Sequence, residues 1–262
     1  MTVLRRVLMH EKSLVVIGLL TVTLLSWLYL LAHVGMRMEP GMAMAAIGVE
    51  RTVWSIPELA GLFVMWAVMM VAMMLPSAAP MILMFAGMQR KKAVGRPRDV
   101  TRAGTRIALF VGGYLAVWFG FSAGATLLQA LLQSAALLSP TMASTSVALS
   151  GFVLIAAGFY HLTPLRAACL RQCRSPLDFV LHHWKPGNTG AFRMGLEHGA
   201  YCVGCCWMLM LLLFVGGVMN LLWIALITAY VAVEKIAPQG GWVDRLAAAA
   251  LSSWGVLVII LA

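Results

Sequence analysis

Charge is scarce in this sequence. Only 11% of its 262 residues are Asp, Glu, Lys or Arg, where a soluble domain carries about a quarter. That excludes a chain kept in solution by its own polar surface. Strict apolar–polar alternation is also missing, which excludes a membrane β-barrel. The first apolar run has no small-residue cleavage site after it, so it reads as a retained helix rather than a removed leader. No Gly-rich phosphate loop, Ser-His-Asp arrangement or nucleotide motif appears, which removes ATP-driven pumping by this chain. Paired haem-ligating histidines, internal repeats and low-complexity linkers are absent as well.

What is present is apolar length. Hydrophobic residues make up 62% of the chain and mean hydropathy is +0.91. A spanning helix needs roughly 20 mostly apolar residues to cross a hydrocarbon core of about 30 Å. Such a helix satisfies its own backbone hydrogen bonds in lipid. The runs fall at 13–32, 59–85, 107–132, 147–161, 196–215, 219–233 and 246–262. The expected fold is therefore all-α: a polytopic transmembrane bundle of six to seven helices forming one domain over 1–262. Pro76 and Pro80 remove backbone donors in the second run, which predicts a kink or unwinding there. Gly120 and Gly124 form a GxxxG pair in the third, suited to close packing in the bundle.

The net charge of +10 is a topology signal. With the N-terminus inside, seventeen of the nineteen Lys and Arg residues fall in inner segments and only Arg37 and Arg51 fall outside. That bias predicts a cytoplasmic N-terminus. It also removes nucleic acid as a partner. The partners expected are the lipid bilayer and, beyond it, a second copy of the chain or a membrane subunit.

The chemistry-bearing residues are soft. In Gly-Leu-Glu-His-Gly-Ala-Tyr-Cys-Val-Gly-Cys-Cys-Trp-Met-Leu-Met (195–210), His198, Cys202, Cys205 and Cys206 fall within an arc of about 100° on a helix. The fourth run ends on His161, and Cys169 and Cys173 follow at an i, i+4 spacing. Topology places all five cysteines toward the reducing cytoplasmic side, where thiols persist. Thiolates favour Cu(I) or Zn(II), and imidazole suits both. Spacings of C-x3-C and C-x2-C are suited to a multi-thiolate site. The competing reading of any one such cysteine is a small packing residue.

Methionines form a second group. An outer segment carries Met36, Met38, Met42 and Met44 beside His33, and the second run carries Met65, Met69 and Met73 with Met70 and Met74 flanking them. Thioethers select Cu(I) without needing deprotonation. In a helix they are equally good core fillers. Taken in order, thioethers outside lead to imidazole and thiolates inside, which is the arrangement of an uptake route.

The segments 65–77, 160–176 and 199–210 resemble a family of bacterial predicted metal-binding integral membrane proteins carried under a domain-of-unknown-function label. Asn220, Trp223, Glu234 and Lys235 match its pattern too. The resemblance implies a metal-binding, multi-pass protein of the bacterial inner membrane, with Cys202, Cys205 and Cys206 on the positions that support it. The reading is a metal-handling protein, more a carrier than an enzyme, that binds and transports a soft transition metal ion, copper ahead of zinc. The alternatives are a membrane metalloenzyme or thiol oxidoreductase using Cys202, Cys205 and Cys206, and a subunit with a structural zinc.

Overall fold

The computed structural model describes residues 2–37, 54–93, 97–138, 143–236 and 242–261. The helices are α1 (Thr2–Arg37), α2 (Ile56–Ala93), α3 (Pro97–Ser134), α4 (Val147–His161), α5 (Pro164–Arg174), α6 (Pro176–His183), α7 (Gly187–Leu211), α8 (Leu213–Gly216), α9 (Leu221–Ile236) and α10 (Trp242–Ile260). The described residues hold no strand beyond an isolated bridge between Leu138 and Ser144. The all-α bundle expected from the apolar runs is the fold.

Five helical stretches are long and apolar enough to cross a membrane: Ser13–Ala32, Ile56–Lys91, Val100–Ser134, Gly187–Gly216 and Trp242–Ile260. A sixth follows if α4 and α5, bent by 67°, count as one broken span. The run at 219–233 forms α9, whose 16 residues reach only about 24 Å at 1.5 Å per residue. It falls short of a full crossing and lies instead against α2, α5 and α7.

Burial orders the bundle. The apolar window of α2 is 61% buried and that of α7 50%, against 11% for α1 and for α10. A helix apolar all round belongs at the centre, and α2 sits there with Met65, Met69, Met70, Met73 and Met74 all buried. α2 continues through Pro76 and Pro80 to Ala93, so the unwinding expected from the prolines does not occur. Beside Pro76 the Met74 carbonyl accepts from Ser77 Oγ at 2.8 Å and from Tyr114 Oη of α3 at 3.0 Å.

Close helix approach comes from other glycines than the expected pair. A Cβ at Gly120 or Gly124 would meet nothing within 4 Å, so the GxxxG pair packs against none of the described residues. A Cβ at Gly195 of α7 would instead collide with the Phe110 carbonyl of α3, and one at Gly113 with the Phe192 carbonyl. These contacts hold α3 and α7 side by side and parallel. Gly195→Ala is accordingly expected to cost about 1–3 kcal/mol, the range for overpacking a tight contact. Thermal unfolding in detergent checks it, and an unchanged midpoint would mean the two backbones can separate freely.

The bend between α4 and α5 has a local cause. Thr163 caps α5, its Oγ1 accepting from the Arg166 N–H at 3.4 Å, and Pro164 takes the first helical position. Both are helix-start signals. They stop α4 at His161 and turn Cys169 and Cys173 back onto α7.

Candidate metal-binding site

His198, Cys202, Cys205 and Cys206 share the inward face of α7 and are all buried. The cluster is not at a helix end. α7 begins at Gly187, so Cys202 stands fifteen residues in (202 − 187), inside the bundle. The polar stretch before 196 is itself helical, which puts the cysteines in the middle part of α7.

Cys202 is the hub. The thiols of Cys205 and Cys206 donate to its backbone carbonyl at 3.1 and 2.9 Å. Its own Sγ lies 3.2 Å from Tyr114 Oη of α3 and 3.1 Å from Lys235 Nζ of α9. Lys235 also donates to Ser77 Oγ of α2 at 2.8 Å. Cys173 of α5 approaches Cys205 with sulfurs 4.0 Å apart, and Cys206 approaches Met74 Sδ at 3.9 Å. Five helices thus supply four thiols, a thioether, a phenol and an ammonium to one locus.

The other candidate ligands are placed differently. Cys169 packs on bare backbone, since a Cβ at Gly204 would lie 2.7 Å from its Sγ. His198 sits in an aromatic setting, its ring centroid 5.3 Å from Phe179, 5.7 Å from Tyr114 and 6.2 Å from Phe110. Its Nδ1 is buried without a hydrogen-bond partner among the described residues. His161 belongs to another group. Its Nδ1 is 2.7 Å from the Ala157 carbonyl and its Nε2 lies 3.8 Å from Glu234 Oε1. Met65, Met69 and Met73 are buried along α2, but the thioether that meets a thiol is Met74. Met38 and the side chain of Met36 lie outside the described residues.

His161 lies in a buried ionic cluster that the sequence reading did not single out. Arg166 pairs with Glu234 and, at 3.1 Å, with Asp244. Tyr230 Oη donates to Glu234 Oε1 at 2.8 Å, and Arg174 Nε donates to the Glu234 carbonyl at 2.7 Å. Glu234 and Lys235 are adjacent, yet one faces Arg166 and the other faces Cys202. The available signal was an acid–base pair inside an apolar run, since ionisable residues at membrane depth mark function by default.

Chemically the cluster fits a soft cation. Metal–thiolate bonds run about 2.3 Å, so sulfurs about 4.6 Å apart flank a two-coordinate ion in line, and Cys173 and Cys205 need open only slightly from 4.0 Å. Among the described residues no three His, Cys, Asp or Glu side chains are gathered closely enough for a preformed three-ligand site. The Cys173–Cys205 approach suits a two-coordinate ion, and thiolates and thioethers are the donors that select Cu(I).

No curated protein and no solved structure matches the chain. A family model described as PpoB2, copper chaperone, matches residues 63–258, from the Met-rich half of α2 to the end of α10. That range takes in every cysteine, Met74, Tyr114 and Lys235. It supports the metal-related part of the resemblance and names copper, not zinc. The chain belongs to the PpoB2 copper chaperone family.

Proposed function

We propose that this protein binds Cu(I) inside the bilayer at the thiols gathered around Cys202 and relays it along the bundle. The observation that carries the reading is the meeting of Cys173 from α5 with Cys205 from α7, their sulfurs 4.0 Å apart, beside the hub thiol of Cys202. The family description adds copper. Copper is the cargo here, so no resident cofactor is invoked.

A route to the site is part of the proposal. Met65, Met69 and Met73 lie one helical turn apart on α2 and end beside Met74, which contacts Cys206. Neutral thioethers pass a monovalent cation without the charge cost that an anionic path in lipid would carry. With the N-terminus inside, as the basic residues favour, the ladder leads from the outer side toward the thiols.

The test is a Cu(I) titration of the purified full-length protein in detergent, under reducing conditions, against a chromophoric chelator. One tightly held equivalent is the expected result. Protein that takes up no Cu(I) would end the reading. The close Cys173–Cys205 pair also favours a second reading, a dithiol that cycles with a disulfide. Loss of two thiols on mild oxidation, with no metal uptake before it, would select that one.

A further inference from the structure

We infer that His198 and His183 form a release branch for the cargo, a second Cu(I) position beyond the thiols and a step from it to the protein surface. This rests on the metal-binding reading above and deepens it. His198 stands one helical turn before Cys202 on the same face of α7, a spacing that brings Cβ atoms to about 5–6 Å. One side chain of α3 touches both: the Tyr114 ring is 5.7 Å from the imidazole, and its hydroxyl is 3.2 Å from Cys202 Sγ. His198 is 2% exposed, and its Nδ1 has no hydrogen-bond partner among the described residues. A buried polar atom left unpaired is costly unless a ligand takes it. The rings of Phe110 and Phe179 offer it no bond, and the Tyr114 hydroxyl is engaged by the Met74 carbonyl. Imidazole suits copper.

Phe179 of α6 joins this position to the surface. Its ring meets His198 at 5.3 Å and stacks on His183 at 4.6 Å. His183 Nδ1 lies 3.1 Å from the Phe179 carbonyl, which in the neutral ring leaves Nε2 as the metal-binding nitrogen. His183 is half-buried and His182 beside it is exposed, so access to water rises from Cys202 through His198 to α6. Softness of the donors falls along the same path, from thiolate to imidazole. The transfer is a ligand exchange. Two Cu–S bonds, to Cys173 and Cys205, break as one to Cys202 and one Cu–N bond to His198 form. Of the two thiolates set free, one takes the Cys202 proton and one takes a proton from water. The oxidation state of the metal is unchanged.

The experiment uses the full chain in nanodiscs under reducing conditions. It reads Cu(I) uptake, and stopped-flow transfer to a water-soluble chromophoric chelator, for wild type, His198→Phe, His198→Met and His183→Leu. Wild type should take a second, weaker equivalent, and X-ray absorption of the two-copper protein should show imidazole nitrogen on the metal. That check needs no variant, and a sulfur-only signal would overturn the inference. His198→Phe suits the aromatic setting but donates nothing to a metal. It should keep the first equivalent, lose the second and slow transfer by at least about 10-fold. His198→Met fits the setting less well but restores a soft donor, so it should recover both; a packing role predicts the reverse order, and that order would overturn the inference. His183→Leu should keep both equivalents and slow transfer alone. Transfer at the wild-type rate in folded His198→Phe or His183→Leu would remove the branch, as would loss of the first equivalent in His198→Phe. Wild type that takes up no Cu(I) would instead remove the metal-binding reading itself.

Discussion

Cys202→Ser/Cys205→Ser is expected to weaken Cu(I) binding by at least about 1,000-fold, or about 4 kcal/mol, in a protein that still folds. The double change removes the thiol that meets Tyr114 and Lys235 and the neighbour that meets Cys173. Of the cluster, Cys173 on α5 and Cys206 beside Met74 are the thiols left. A hydroxyl is a hard, uncharged donor and does not replace a thiolate for a soft ion. It does replace a thiol as a hydrogen-bonding group. The hydroxyl introduced at position 205 can bond the carbonyl of residue 202, as the Cys205 thiol does now, in the back-bonding habit of helical serine. At position 202 the hydroxyl meets the same Tyr114 and Lys235. Chelator competition reads the affinity, and size-exclusion chromatography with thermal unfolding reads the fold. Wild-type affinity in the double variant would remove the cluster from copper binding.

Arg166→Met should be the most destabilising single change outside the thiol cluster, at about 3–5 kcal/mol. Arg166 is 1% exposed and joins α5 to α9 through Glu234 and to α10 through Asp244. Removing it strands the Glu234 carboxylate, also 1% exposed, with Tyr230 as its remaining donor and His161 Nε2 at 3.8 Å. The cost comes from the orphaned charge more than from the lost attraction, so Arg166→Met/Glu234→Met should recover most of it. Unfolding in detergent micelles decides. A single variant within about 1 kcal/mol of wild type would mean that water reaches the cluster. Glu234 is also the residue before Lys235, so the ion pair holds one side of α9 while the ammonium on the other side meets sulfur. A weakened copper site is therefore expected alongside the weakened fold.

Several features were legible before any coordinates. Hydropathy and length gave the helices, because a spanning helix is decided by its own residues and the lipid around it. The face shared by His198, Cys202, Cys205 and Cys206 followed from a 3.6-residue period, which is a property of the single helix. The i, i+4 spacing of Cys169 and Cys173 likewise presupposed a helix there, and α5 is one. In contrast, a Cβ at Gly120 or Gly124 meets none of the described residues within 4 Å, while a second GxxxG pair, Gly195 and Gly199, lies directly against α3, as Gly113 lies against α7. A small residue matters only opposite another backbone, and a single sequence does not say what lies opposite.

The same limit governs the site. The residues by themselves determined an all-α bundle with helices long and apolar enough to cross a membrane, rich in soft donors, with one helix face bearing four of them. Tertiary structure decided which donors meet. Met74, not Met65, reaches a thiol, across 132 positions; Lys235 reaches Ser77 across 158; His161 goes to a carboxylate instead of to sulfur. Those outcomes depend on where helices cross and how sharply α4 turns into α5. Periodicity is local to one helix, whereas a crossing is fixed by the side-chain surfaces of two.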